Sequence, residues 1–359
     1  MTLQQPPEEI IRRFCVGHRS AEVTSLGRGN INDTFLIRAR EQTLILQGIN
    51  AQVFPDPQIL ISNLQHLSCH LKSQPRPSTR RWEEAMLIPA RNGSFAIRDD
   101  QGTLWRALSY IQDSVSFEHA ETLLQAEETG WALGHFHKRV VGLDLAKMQI
   151  PLPGFHSLPG YLNQYELVSS GQVPGSSPKS QLCMETIKQE QQGALLLDQA
   201  LASGKIQHSI IHGDPKIANI LFDKKSKLAI SLIDLDTVGP GILQHDIGDC
   251  LRSVCNRNGE DSDPEQVVFD LNRCSAALKG YFNATGRLLN TTDKELIYEG
   301  IKSITFELGL RFFTDYLQGG IYFKCTSPEE TLQKSLIQFA LLKDIIAKKD
   351  TIRNLIMHC

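Results

Sequence analysis

Apolar and polar positions alternate along three short runs near the start of the chain, residues 21–26, 34–38 and 43–49. A period of two predicts three half-buried strands. The first two flank the glycine-rich turn Gly27-Arg28-Gly29-Asn30, and Arg40-Glu41-Gln42 joins the second to the third, so the run reads as a β-meander. From residue 57 the period lengthens. Ile59, Leu60, Leu64, Leu67 and Leu71 fall on one helical face and predict a helix over 57–71, after a short one over 8–14. Two further strands, 95–98 and 104–111, enclose the turn Asp99-Asp100-Gln101-Gly102. Beyond Phe117 the helical period takes over, at 118–141, 183–202, 264–282, 294–317 and 328–347. Residues 154–178, rich in Gly, Pro and Ser, read as a long loop. Short β-type runs at 209–211, 220–223 and 228–234 interrupt the helices.

A strand-rich first third followed by a helical remainder predicts an α+β, bilobal molecule. The N-terminal lobe is expected over residues 1–112 and the larger helical lobe over 113–359, with a ligand cleft between them. A chain of 359 residues, 41% apolar and 21% charged, is long enough to build both. Its formal charge of −3 supplies no basic field for a phosphate backbone, which argues against nucleic acid and for a small-molecule partner. The eight cysteines form no Cys-x-x-Cys pair and read as reduced thiols of a cytoplasmic protein. No run approaches the roughly 18 apolar residues of a spanning helix, so no membrane is expected. His66/His70 and His135/His137 lack a companion carboxylate set and read as surface or cleft-lining residues rather than a metal site. Oligomeric state is not encoded in any of these patterns.

The chemistry concentrates in His212-Gly213-Asp214-Pro215-Lys216-Ile217-Ala218-Asn219 and the later Ile233-Asp234-Leu235-Asp236. Phosphoryl transfer to an alcohol needs an acceptor for the hydroxyl proton, oxygen ligands for Mg²⁺ and positive charge near the transferred group. Asp214 fits the base, Asn219 and Asp234 fit the ligands of a magnesium that also meets the nucleotide phosphates, and Lys216 fits the charge. The spacing Asp-x-x-x-x-Asn, followed after a strand pair by an aspartate 15 positions on, is that of the protein-kinase catalytic loop. Asp236 either helps hold a second magnesium or braces the loop. His212 reads as structural, and Asp246 and Asp249 as loop anchors or helix caps.

At these residues the chain resembles the aminoglycoside phosphotransferase and choline kinase superfamily, and most of all its N-acetylhexosamine 1-kinase branch. The motifs are Gly29-Asn30-Ile31-Asn32-Asp33-Thr34, Leu44-Ile45-Leu46-Gln47, His212 to Lys216, Ile233 to Thr237, and Arg311-Phe312-Phe313-Thr314-Asp315-Tyr316-Leu317 with Tyr322-Phe323-Lys324. The resemblance implies a protein-kinase-like fold and transfer from ATP, with Mg²⁺, to the anomeric hydroxyl of an N-acetylhexosamine. It implies Asn30, Arg311 and Tyr322 near the sugar. The alternatives are an ion pair of Arg311 with Asp315 on the same helix, and Tyr322 as a core aromatic.

The chain departs from the kinase pattern at one pair. The third strand carries Gln47 where a phosphate-binding lysine is expected, no lysine precedes Lys72, and the helix at 57–71 holds no glutamate to partner one. The glycine turn has only Gly27 and Gly29 to cradle phosphates. Adenine is expected against residues 107–111. A kinase of another alcohol, such as choline, an aminoglycoside or a different sugar, and a nucleotide-binding pseudokinase are the competing readings.

Overall fold

Residues 5–15, 21–26, 31–74, 80–170, 177–259, 262–323 and 325–359 are described, from a computed structural model of the chain. Helix α1 (Glu8–Phe14) carries Glu8 and Glu9 in its first turn and Arg12 and Arg13 in its last, the order its dipole favours. The strands β1 (Glu22–Ser25), β2 (Asp33–Arg38) and β3 (Thr43–Ile49) precede α2 (Pro57–Ser73); β4 (Leu87–Ile88), β5 (Ile97–Arg98) and β6 (Leu104–Ser109) complete one antiparallel sheet. Its order is β1-β2-β3-β6-β4, with β5 pairing β6.

The pleat sorts the two faces of this sheet. Phe35, Ile37, Leu44, Leu46, Trp105 and Ala107 point to one side and pack with Ile10, Ile11 and Phe14 of α1. Thr34, Gln47 and Arg106 are register partners across β2, β3 and β6, so they share the opposite face. Helix α2 is capped by Asp56, whose side chain accepts from Gln58 N. It is tied across to the helical part by Asn63, whose Nδ2 donates to Gln149 O at 2.8 Å and to Val238 O at 3.0 Å.

The helical part begins with β7 (Ser114–Val115) and continues with α3 (Leu123–Arg139), α4 (Leu158–Ser169), α5 (Pro178–Ala194) and α6 (Leu196–Ala202). After β8 (Ser209–Ile211), β9 (Ile220–Asp223), β10 (Ala229–Leu232) and β11 (Gly239–Gly241) come α7 (Leu243–Cys255), α8 (Leu271–Thr285), α9 (Thr291–Glu295), α10 (Ile297–Leu317), α11 (Pro328–Ala347) and α12 (Lys349–His358). Helices α3 and α8 cross backbone to backbone: a Cβ on Gly130 would lie 1.9 Å from Ala277 O, and one on Gly280 1.9 Å from Glu127 O. The β9–β10 hairpin packs Ile220, Phe222, Ala229 and Leu232 into the main core. The strands β8 and β11 pair beside it, so the segments between them, 212–219 and 233–238, meet at one place.

Several boundaries differ from the sequence pattern for local reasons. Residues 118–122 are not helical, because Thr122 and Gln125 form a reciprocal capping box that starts α3 at Leu123. The expected loop at 154–178 contains α4, which starts with Pro159 in its first turn and buries Leu158 and Leu162. His135 and His137 are core residues, not surface or cleft-lining ones. His137 bridges Tyr281 Oη and Asp246 at 2.9 Å each, and His135 stacks on Trp131 with ring centroids 4.7 Å apart. Cys69, Cys183, Cys250, Cys255, Cys274, Cys325 and Cys359 form no disulfide.

Candidate active site

The loop between β8 and β9 is held from behind by one buried carboxylate. Asp246, in the first turn of α7, accepts from His212 N at 2.6 Å and Gly213 N at 2.8 Å. In spite of its burial, the hydrogen bond and charge of His137, with the His212 backbone amide, hold its pKa below the usual carboxylate range. His212 is neutral, its pKa lowered by burial, and serves the loop: its Nε2 donates to Ile233 O at 3.0 Å and its Nδ1 accepts from Asp214 N at 3.3 Å. Gly213 sits at φ +89°, with Thr237 2.8 Å from where a Cβ would be.

In front of this frame, Oδ2 of Asp214 accepts from Lys216 Nζ at 2.8 Å and Asn219 Nδ2 at 3.1 Å. Asn219 Nδ2 also donates to Asp214 O at 2.8 Å, and Asn219 O accepts from Ile233 N at 2.8 Å, which ties the loop to the next segment. The amide nitrogen thus faces inward and leaves its oxygen as the available ligand atom. The side chains of Asp214 and Lys216 are 29% and 32% exposed, so a substrate can reach both.

Asp234 follows β10 in the left-handed region, at φ 63° and ψ 56°, a conformation aspartate tolerates better than most side chains. Its surface is open to solvent, yet the protein around it and the neighbouring Asp236 and Asp214 carboxylates push its pKa up to about 7, against the opposing pull of Lys216 and Arg106. A carboxylate crowded by two others offers hard oxygen atoms of the kind a divalent cation takes. Among the described residues no three His, Cys, Asp or Glu side chains form a complete ligand set.

Asp236 is buried and both its oxygens are engaged from the sheet. Arg106 Nη2 donates to Oδ1, and Asn32 Nδ2 donates to Oδ2 at 2.6 Å. Gln47 belongs to the same row: its Oε1 accepts from Arg106 Nε and Nη2 at 3.1 and 2.8 Å, and its Nε2 donates to Thr34 Oγ1 at 3.1 Å. The row of three side chains therefore closes onto the turn that carries Asp234.

On the other side of the loop lies an aromatic chamber. The guanidinium of Arg311, on α10, stands 5.0 to 5.7 Å from the ring centroids of Tyr161, Phe155, Tyr322 and Phe323, and its Nη2 is 3.4 Å from Tyr322 Oη. Its carboxylate neighbour is Glu307, one turn earlier at 3.7 Å, and not Asp315. Asp315 instead accepts from the backbone amides of Ile321, Tyr322 and Phe323, and so shapes the loop that presents Tyr322. His156 joins chamber and loop: its Nε2 donates to Gly213 O at 2.8 Å and its Nδ1 lies 3.1 Å from Glu307 Oε1.

Comparison with known proteins places this geometry. A family model described as the phosphotransferase enzyme family matches residues 22–281, which include the sheet, the loop at 212–219 and Asp234. The chain belongs to that family. Solved structures similar to this phosphotransferase share its fold at low identity. A microcompartment-associated aminopropanol kinase is 15% identical with a TM-score of 0.67, over 96% of this chain and 97% of that one. An aminoglycoside phosphotransferase from Alicyclobacillus acidocaldarius is 13% identical with a TM-score of 0.67, over 99% and 98%. A choline kinase from Cryptosporidium parvum is 11% identical with a TM-score of 0.61, over 97% and 95%. The fold is the kinase-like α+β fold, an N-terminal antiparallel sheet against a larger helical part. Among the described residues no helix is long and apolar enough to cross a membrane.

Within this phosphotransferase the structure brings Asp214, Lys216, Asn219 and Asp234 together, joins Asp236 to Gln47 through Arg106, and sets Arg311 beside Tyr322. Gly27, Gly29, Asn30 and Lys324 lie outside the described residues. Sequence reasoning missed Arg106, His156, Glu307 and Tyr161. Arg106 left a trace, a lone charge inside the apolar run Leu104-Trp105-Arg106-Ala107-Leu108, and Glu307 stands four positions before Arg311. His156 and Tyr161 lay in the segment read as loop and left none.

Proposed function

We propose that this phosphotransferase uses ATP and Mg²⁺ to phosphorylate a hydroxyl of a neutral sugar, as an N-acetylhexosamine 1-kinase does. The division into a nucleotide-binding lobe, residues 1–112, and a catalytic and acceptor-binding lobe, residues 113–359, goes with this reading. Asp214 orients the acceptor hydroxyl and takes its proton on the carboxylate. Lys216, already against Asp214, swings its ammonium toward the transferred group as negative charge builds there. Asn219 and Asp234 would hold the cation through their side-chain oxygens. Bound there, Mg²⁺ would offset the charge of the phosphates. Asp236, with both oxygens engaged, acts as the brace between sheet and turn.

The observation that carries the acceptor class is Arg311. A fixed guanidinium in the chamber beside the catalytic loop repels a cationic acceptor, whereas aromatic faces and hydrogen-bond donors suit a sugar. One observation favours a second reading, an amino alcohol acceptor. Glu307 is 2% exposed and its Oε2 is buried without a hydrogen-bond partner among the described residues, a carboxylate oxygen able to take an ammonium. The aminopropanol kinase and choline kinase folds above give that reading precedent.

An ATP-consumption screen over N-acetylhexosamines, neutral sugars and amino alcohols separates the two, with Asp214→Asn as control. Turnover on N-acetylhexosamines that disappears in the control is expected. Turnover confined to amino alcohols sinks the sugar reading.

A further inference from the structure

The roof of the cleft lacks the lysine and glutamate by which many kinases grip nucleotide phosphates, yet it does not lack charge. Arg106 is 1% exposed and stands on β6 directly across from Gln47, the position the lysine would occupy. A guanidinium this deep is costly unless every N–H finds an acceptor, and Arg106 falls short by one group. Its Nε and Nη2 are used by Gln47, and Nη2 also by Asp236, but Nη1 has no hydrogen-bond partner among the described residues. Asp236 therefore uses only half of the Nη1–Nη2 edge, an edge whose geometry suits an anion with two oxygens.

The placement suits one anion in particular. Thr34, Gln47 and Arg106 form a single row on the sheet face that meets Asp236, two residues from Asp234, whose carboxylate fits the cation accompanying phosphates. Gln47 is neutral and its amide is spent on Thr34 and Arg106, so it brings no charge of its own and serves to aim its neighbour.

We propose that Arg106 supplies the positive charge for the nucleotide phosphates in place of the absent third-strand lysine, meeting an oxyanion along its Nη1–Nη2 edge. Asp236 holds that edge in the ligand-free protein. A phosphate oxygen then completes it at Nη1 as sheet and turn adjust around the nucleotide. The inference concerns the donor side and stands whichever acceptor the enzyme takes.

The test is the ratio of ADP affinity to adenosine affinity, measured by calorimetry on the full chain with Mg²⁺ present. Adenosine has the base and ribose without the phosphates, so the ratio isolates the phosphate grip. Arg106→Gln is expected to weaken ADP by about tenfold or more, the scale of a lost charge-assisted hydrogen bond, and to leave adenosine unchanged. An unaltered ratio, or equal loss of both ligands, overturns the proposal. Where circular dichroism shows that Arg106→Gln does not fold, the double variant Gln47→Lys/Arg106→Gln decides, because it moves the charge one strand over in the same row. A wild-type ratio in that variant supports the proposal, and a ratio lowered about tenfold overturns it.

Discussion

His156 and Glu307, 151 residues apart in sequence, meet at 3.1 Å between Nδ1 and Oε1 while the other imidazole nitrogen donates to Gly213 O. Both partners are acceptors, so the ring is satisfied only when both nitrogens carry protons. Burial pulls the His156 pKa down, but the Glu307 charge, its hydrogen bond, the Gly213 carbonyl and Asp249 together raise it above the ordinary histidine value. The other groups near it are His245, pushed down to about 3 mainly by burial and so neutral, and Arg311, which approaches the same Glu307 Oε1 at 3.7 Å.

The pH dependence of stability follows from that direction. A histidine whose folded pKa is raised contributes fully below its unfolded pKa of about 6.5, and loses the contribution as pH rises through the folded value. His156→Asn should therefore melt well below wild type at pH 5.5 and close the gap as pH climbs past neutrality. Thermal melts of both proteins from pH 5.5 to 9 check it. A gap that is constant or widens with pH contradicts the imidazolium.

Asp214 and Lys216 make separable predictions for turnover. Asp214→Asn keeps the shape and removes the proton acceptor proposed above, so kcat should fall by about 10²–10⁴-fold with ADP affinity unchanged. Lys216→Met removes a donor aimed at developing charge and should lower kcat by about 10²–10³-fold. Steady-state kinetics beside calorimetry report both. Full activity in Lys216→Met would reduce the lysine to a counter-ion of Asp214.

How much of this could be read from the chain varies with the range of the interactions. The bounds of β3, β8, β9 and α11 coincide with the sequence pattern, because alternation or an apolar stripe fixes them within a few residues. The cluster in the loop at 212–219 was legible because its side chains are nearly consecutive: Asp214, Lys216 and Asn219 contact one another across at most five positions. Arg106 was not, because a charge in an apolar strand is explained only by Asp236, 130 residues away. His156 lay in a segment whose Gly, Pro and Ser content reads as loop, and the helix beside it depends on burial against α10 that no local period announces.

Gly213 tests whether the loop tolerates any side chain. Its φ of +89° strains an L-residue, and a Cβ would sit 2.8 Å from Thr237 Cβ and 2.9 Å from Thr237 O. Gly213→Ala should lose about 1–3 kcal/mol, strain and overpacking together, and lower kcat as well, since the amide and carbonyl of Gly213 hold Asp246 and His156. Gly102 has a similar φ of +84° with nothing within 4 Å of its Cβ position, so Gly102→Ala should cost only the backbone strain, about 1–2 kcal/mol. Denaturant melts of the two variants, with kcat measured alongside, check the pair. Equal stability loss with kcat unaffected in both removes the special role of Gly213.

Arg311 and Glu307 share a contact but should part company by acceptor. If Arg311 hydrogen-bonds a neutral sugar, Arg311→Gln lowers kcat/KM for N-acetylglucosamine by about 10–100-fold, the value of one or two hydrogen bonds to a charged group. The loss should appear mainly in KM, because Arg311 binds acceptor and takes no proton. Glu307→Gln removes the charge that fixes both Arg311 and His156, and should cost less on the sugar than Arg311→Gln does. On an amino alcohol the order reverses: Glu307→Gln deletes the counter-charge of the ammonium, while Arg311→Gln removes a repulsion and raises kcat/KM. Measuring both variants on N-acetylglucosamine and 1-amino-2-propanol gives four ratios. An Arg311→Gln enzyme that gains on the amino alcohol and is unchanged on the sugar would show that the chamber was built around Glu307.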